Sequence, residues 1–291
     1  MKKQLQDIET WSKLKIIGEE TWDITLFEQR EKGKSDLVIP HMHDFYLILF
    51  VEQGSGFHEI DFLRLDVKPF QVHFLRPQQV HYWKLAEDTL GYQLMFSASA
   101  IHLINHLSVL PFFQIDVPPV LQLTQEEYIN LHQELKILLE VLPKTETIDR
   151  EISILQFFLL LKKIQRYYLQ SYVDLELQVG DVKIQEFKAL LEIYFKTQNK
   201  VAFYADKLNI TPNYLNIRTR KILGTSASHC IQQRIILEAE RLLITTALSI
   251  KEIAFELGFH DTGYFNHYFK RSTNKTPGQF RESYNFYNKA L

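Results

Sequence analysis

Apolar positions along the chain change their rhythm twice. Between Thr21 and Phe96 they come in short runs: Phe45–Val51, Phe57–Leu65, Phe70–Leu75, His81–Leu85 and Tyr92–Phe96. Short aromatic and β-branched runs at regular spacing predict the strands of a sandwich or small barrel. Gly54-Ser55-Gly56 is a turn signal, and Pro69 and Pro77 fall between runs, where a missing N–H breaks no ladder. After Ser97 the period becomes helical. Thr124 with Glu127 is a capping signature, and Leu131, Leu135, Leu138, Leu139 and Leu142 follow at helical spacing before Pro143. A second helix is predicted from Ile148 to about Gln170. Its apolar residues cover more than one face, so one face can pack on the strands and another on a second subunit. Tyr172–Asp181 reads as a linker.

The third rhythm is a repeat with a period of about 50 residues. Val201–Ser226 matches Ile250–Pro277: Ala205 with Ala254, Leu208 with Leu257, Tyr214-Leu215-Asn216 with Tyr264-Phe265-Asn266, and Arg220-Lys221 with Lys270-Arg271. Each unit predicts a short helix, a tight turn and a second helix. Thr211 is an N-cap with Pro212 at the first helical position; Gly258 ends a helix and Asp261 caps the next. This is the helix-turn-helix pattern, whose second helix enters the DNA major groove. Between the units, Ser228 to about Thr245 predicts a linking helix. Its length, roughly 27 Å, approaches the ~34 Å between successive major grooves on one side of DNA. Tyr214, Tyr264, Phe265 and Phe269 are expected in the core of their units.

Charge follows the same division. The 291 residues carry a net charge of −2. Residues 1–196 hold 20 basic and 28 acidic side chains, a net of −8; residues 197–291 hold 13 and 7, a net of +6. The basic part can face a polyanion. The longest apolar run, seven residues, is far short of the ~20 a membrane helix needs. A lone Cys230 excludes an internal disulfide framework, its expected role is packing, and the expected compartment is the cytoplasm.

Asp181 to Arg281 closely resembles the AraC/XylS family of bacterial transcription regulators. The resemblance is carried by Ala205, Leu208, Tyr214-Leu215, Gly224, Arg234, Ala239 and Leu242-Leu243. It continues through Ile250, Ile253-Ala254, Gly258-Phe259, Asp261, Tyr264-Phe265, Phe269-Lys270, Thr276-Pro277 and Arg281, with Val182–Thr197 as the family's leading helix. Three positions depart from it. Arg218 and Thr219 stand where an apolar residue and Phe are usual, and Asn274 stands in place of Gly. Asn tolerates the left-handed conformation, whereas Thr219 removes a core aromatic and makes the first unit's base contacts less certain.

The resemblance implies base-reading positions: Asn213, Asn216 and Ile217 in the first unit, and Thr262, Gly263, Asn266 and His267 in the second. Asn can pair with adenine, His can donate to guanine, and Ile can lie on a thymine methyl. Thr211, Arg220, Lys221, Lys270, Arg271 and Lys275 suit phosphates. The strand half resembles the family's cupin-like sensor through His41-Met42-His43, Gly54 and His81. The cupin motif's Glu is missing, with Leu47 and Ile48 at its spacing, so these His are expected to line an effector pocket with Tyr46, Trp83 and Trp22 rather than to bind metal.

The expected fold is therefore α+β. Residues 1–175 form a cupin-like β-barrel with dimerisation helices. Residues 176–291 form an all-α reader with helix-turn-helix units at about 201–222 and 250–271. The expected protein is a sequence-specific regulator of transcription, modulated by a small molecule, with a carbohydrate as one candidate. Its expected partners are double-stranded DNA, the effector, RNA polymerase and a second copy bound through helix 148–170, and no cofactor is expected. The alternative is a metal-dependent cupin oxygenase or isomerase with a DNA-binding tail.

Overall fold

The computed structural model describes residues 24–29, 39–97, 100, 110–114, 116–142, 147–173 and 180–289. Its strands are β1 (Ile24–Gln29), β2 (Tyr46–Gln53), β3 (Gly56–Ile60), β4 (Leu63–Val67), β5 (Gln71–Leu75), β6 (His81–Leu85), β7 (Leu90–Phe96) and β8 (Val120–Gln122). They form two antiparallel sheets, one ordered β1-β7-β2-β5-β8 and the other β4-β3-β6.

The run Phe45–Val51 is apolar throughout because β2 is buried on both faces. Leu47, Leu49 and Val51 face the second sheet and pack with Ile60, Trp83 and Leu85. Ile48 and Phe50 face the other way, toward helices. Those helices are α1 (Gln125–Val141) and α2 (Thr147–Ser171). The Thr124–Glu127 capping box forms as predicted: Glu127 N donates to Thr124 Oγ1 at 3.3 Å, and Thr124 N to Glu127 Oε2 at 2.8 Å. From α2, Phe157, Leu160, Leu161, Ile164 and Tyr168 join the sheet's core. Pro143 and residues 174–179 of the predicted linker lie outside the described residues.

The predicted strand Phe57–Leu65 is two strands. The chain reverses at Asp61 (φ 46°) and Phe62 (φ 68°), both left-handed, as a tight hairpin requires. Asp61 suits such a turn, but Phe62 stands where Gly is favoured, so the turn signal in the sequence is incomplete.

Among the described residues seven helices build the reader: α3 (Val182–Tyr194), α4 (Val201–Lys207), α5 (Pro212–Leu223), α6 (Ala227–Thr245), α7 (Ile250–Glu256), α8 (Thr262–Thr273) and α9 (Pro277–Lys289). α9 was not anticipated as an element. Their shared core includes Phe187, Tyr204, Leu215, Ile231, Ala239, Ile253, Phe265 and Phe269. Ala205 and Ala254, both fully buried, sit where helices cross closely. Arg281 of α9 ties the unit together by donating to Leu243 O (3.0 Å) and Leu248 O (2.6 Å).

The β3–β4 hairpin tip is the seam between the halves. Asp61 accepts a two-pronged ion pair from Arg241 of α6, at 2.8 and 2.7 Å. Phe62 packs edge-on against Phe280 and Tyr284 of α9, and Tyr284 OH donates to Glu59 at 3.0 Å.

Candidate nucleic-acid interface

The recognition helices α5 and α8 start and end as their sequences dictate. Thr211 Oγ1 accepts from Tyr214 N at 3.1 Å and Asp261 Oδ1 from Tyr264 N at 2.6 Å, satisfying N–H groups with no partner in the helix. Both helices close in the left-handed conformation, α5 at Gly224 (φ 72°) and α8 at Asn274 (φ 59°), so the Asn substitution is accommodated as expected.

The two helices present the same exposed positions. In α5 these are Asn213, Tyr214, Ile217, Arg220 and Lys221; in α8 they are Gly263, Tyr264, His267, Lys270 and Arg271. Thr211 and Lys275 are exposed beside them, and Thr262 is half-buried. The basic residues lie in the last turn of each helix, where they also complement its dipole.

Two expectations need correcting. Tyr214 and Tyr264 are not core residues: they are 43% and 61% exposed, on the same faces as Ile217 and His267. Helical spacing suggested burial, but these positions fall one residue outside the inward stripe that Leu215 and Phe265 occupy. Second, Asn216 and Asn266 turn toward their own units. Asn216 Nδ2 donates to Pro212 O (3.1 Å), and its Oδ1 accepts from Ala227 N (3.1 Å), so its amide is committed to backbone rather than free for adenine. Asn266 is oriented alike, but Pro277 stands where Ala227 does and has no N–H. Its Oδ1 is consequently buried with no partner among the described residues.

Thr219 is fully buried in place of the expected aromatic, and its hydroxyl donates to Asn216 O at 3.1 Å. Arg218 binds Asp181, the N-cap of α3, at 2.8 Å and Tyr214 OH at 3.1 Å. Cys230 is buried, which pushes its thiol up to about 11 and leaves it unreactive at neutral pH.

In the sensor, strand alternation brings five imidazoles together. His58 on β3, His73 on β5 and His81 on β6 point between the sheets beside Trp83, and His41 and His43 cover His81 with ring centroids 4.2 and 5.0 Å away. Three of the five, His41, His43 and His81, are legible from the motif; His58 and His73 share the inward phase of Ile60 and Leu75, which is the signal that marks them. Tyr46 is on the opposite face, stacked on Phe96, so it does not share this interior. Trp22 lies outside the described residues.

A proton order follows from the contacts. Gln71 Oε1 already accepts from Lys68 N, so His73 Nε2 donates to it (3.1 Å). His73 Nδ1 then accepts from His58 Nδ1 (3.1 Å), and His58 Nε2 accepts from His81 Nδ1 (3.2 Å). His43 Nδ1 donates to Phe45 O at 2.7 Å. The chain ends on two buried acceptors without donors among the described residues, His81 Nε2 and His43 Nε2. Burial, with repulsion from neighbouring imidazoles in several cases, lowers every one of these pKa values: His43 to about 4, His73 to about 3, and His58 and His81 well below normal. All five are neutral at pH 7.

A β-rich sensor followed by paired helix-turn-helix units with matched exposed faces defines a DNA-binding regulator. Comparison with known proteins agrees. The family described as AraC-like ligand binding domain matches residues 22–156, and a helix-turn-helix domain family matches residues 204–283. The transcriptional activator RhaS of Enterobacter sp. is 23% identical over 83% of this chain and 87% of its own length. The regulator YfiF of Bacillus subtilis is 26% identical over 84% of this chain and 79% of its own. Among solved structures, ToxT of Vibrio cholerae aligns over 90% of this chain and 98% of its own at 14% identity, with a TM-score of 0.46. The chain belongs to the AraC/XylS family of transcription regulators. It is a DNA-binding regulator modulated by a small molecule, and the enzyme alternative finds no support among these relatives. No helix among the described residues is long and apolar enough to cross a membrane.

Proposed function

We propose that this regulator activates transcription in the cytoplasm by laying α5 and α8 into successive major grooves of its operator. The observation that carries this reading is the matched exposure of the two helices, position for position, on either side of α6. With 19 residues, α6 spans about 28 Å, near the ~34 Å groove repeat. Asn213 and Ile217 read one half-site, on adenine and a thymine methyl. His267 reads the other, donating to guanine, while Gly263 lets the backbone approach. Tyr214 and Tyr264 extend these surfaces. Thr211, Arg220, Lys221, Lys270, Arg271 and Lys275 hold phosphates.

The sensor, residues 1–175, takes the effector between its sheets. The acceptors His43 Nε2 and His81 Nε2 suit a ligand with hydroxyl donors, and a carbohydrate has them. The reader, residues 176–291, is held to the sensor at the Asp61–Arg241 seam. An effector acts by binding seam-closed and seam-open arrangements with different affinity.

A second copy pairs through α2. Ile148, Ile152, Leu155 and Leu159 are exposed at spacings of four, three and four residues, the seam of a helix pair. Leu155→Glu should leave a monomer by sedimentation; an unchanged dimer would reject this surface. RNA polymerase is the partner in activation.

Genome-wide binding maps of wild type and an Ile217→Ala/His267→Ala variant test the central reading. Enriched sites with two elements about one helical turn apart, lost in the variant, are expected. Enrichment that survives in the variant would overturn the assignment.

A further inference from the structure

A cavity of about 480 Å³ opens at the seam, within the size range of small-molecule sites. Both halves line it. The sensor contributes Asp61, Arg76, Gln79 and Asp116; the reader contributes Glu240 of α6 and Ser272 and Lys275 at the end of recognition helix α8. Ile60, Ile236, Leu237 and Phe280 supply an apolar wall.

Arg76 is the unexplained group. Its side chain is half-buried and borders the cavity. No side-chain hydrogen bond or ion pair reaches its guanidinium among the described residues, so its five N–H donors have no protein partner. The carboxylates it feels are committed elsewhere. Asp61 holds Arg241 and also accepts from Gln79 at 2.7 Å; Glu192 holds Arg234 at 2.5 Å. Glu240 is pushed up to about 7 by burial and by Asp61, so it is only partly charged at neutral pH. Burial and the neighbouring Arg241 lower the Arg76 pKa, and Glu192 and Asp61 offset this only in part. A guanidinium with no protein partner on a cavity wall is free to pair with an anion that enters.

We propose that this seam cavity binds a small organic anion, a carboxylate or a phosphate ester, with its charged group on Arg76 and its carbon body against Ile236, Leu237 and Phe280. The guanidinium fork matches either group with two parallel hydrogen bonds. This site is separate from the histidine interior. Because Ser272 and Lys275 terminate α8, occupancy links the sensor directly to the second recognition helix, and a bound anion stabilises the closed seam.

The test uses the full chain without DNA. Calorimetric titration with glutarate, glucose 6-phosphate and, as the neutral control, glucose is run at constant ionic strength in chloride. One of the two anions should bind with 1:1 stoichiometry, and glutarate against glucose 6-phosphate separates carboxylate from phosphate. Arg76→Gln should weaken that binding at least tenfold, and Arg76→Lys should restore part of it. Gln233→Trp, an exposed position on the rim, should block the cavity while leaving Arg76 in place, which keeps the test valid if Arg76→Gln fails to fold. Failure of both anions to bind, or binding equally strong in Arg76→Lys, Arg76→Gln and Gln233→Trp, would overturn the proposal. A site in the histidine interior would survive these changes and would respond to glucose instead.

Discussion

The two helix-turn-helix units match at a few key positions in sequence but are held by different means. The second unit is aromatic at its centre: Phe265 and Phe269 are fully buried, and Phe269 meets Phe280 at 5.6 Å between centroids. In the first, Thr219 takes the place of Phe269, and polar links replace that packing. Arg218 reaches Asp181, Thr219 bonds Asn216 O, and Asn216 joins α5 to the start of α6. The second unit leaves the matching Asn266 oxygen without a partner among the described residues, because Pro277 cannot donate. The units therefore show one architecture maintained by packing in one copy and by hydrogen bonds in the other, while both outer faces stay alike.

The largest expected contrast comes from the buried pair. Phe269→Ala should cost about 3–5 kcal/mol in denaturant unfolding of the reader, and Thr219→Ala about 1 kcal/mol. Equal losses would show that the first unit depends on its centre as heavily as the second. The asparagines should separate next. Asn216→Ala strands the Ala227 N–H and should cost about 1–3 kcal/mol, whereas Asn266→Ala removes an unpaired acceptor and should stay within about 0.5 kcal/mol. A matched loss at Asn266 would mean that its oxygen has a partner. Such stability changes also separate these residues from base contacts: Ile217→Ala and His267→Ala should leave unfolding unchanged and weaken operator binding by about 1–3 kcal/mol each. The smallest effect is expected for phosphate contacts. Lys270→Ala and Arg220→Ala should each lower affinity for all DNA alike and reduce the salt slope by about 1; a sequence-dependent loss would reassign either residue to base reading.

The sensor offers a pH counterpart. Its buried imidazoles titrate lower in the folded state than the ordinary 6.5, so the unfolded chain binds more protons between the two values. Their contribution is fully present above pH 6.5 and declines as pH falls toward about 4, by up to about 1.4 kcal/mol per pH unit for each such group. A melting profile should show this acid loss, and His73→Leu should shrink it. A profile that is flat from pH 7 to 4.5 would contradict neutral, buried histidines.

The repeat shows how far local signals reach. Caps at Thr211 and Asp261, Pro212 at a first helical position and left-handed stops at Gly224 and Asn274 are choices made by a few adjacent residues, so the helices and their order were legible. Exposure was legible only in part. Tyr214 and Tyr264 follow helical spacing yet lie just outside the inward stripe, and which side of that boundary they occupy depends on how α4 and α7 cross the recognition helices. The Asn pair misled for a related reason: an amide at the base-facing position reads the same whether its partner is adenine or a backbone N–H eleven residues on.

In the sensor, the five apolar runs covered six of the eight described strands, with β3 and β4 read as one, and burial on both faces explains why β2 is apolar throughout. Alternation could not predict the hairpin break at Asp61-Phe62, where ordinary side chains adopt left-handed backbone. It also could not say that Tyr46 and Trp83 face opposite cores, since that is set by which sheet packs where.

The sequence by itself determined the family, the order of most elements, the repeat and the charge division from −8 to +6, because each is written in spacing or composition. Only the tertiary structure decided which neighbours meet across distance. It paired Asp61 with Arg241, 180 positions apart, gathered His41, His43, His58, His73 and His81 into one interior, and left Arg76 facing a cavity without a counter-ion. Such contacts depend on the packing of whole elements, and no local pattern encodes them.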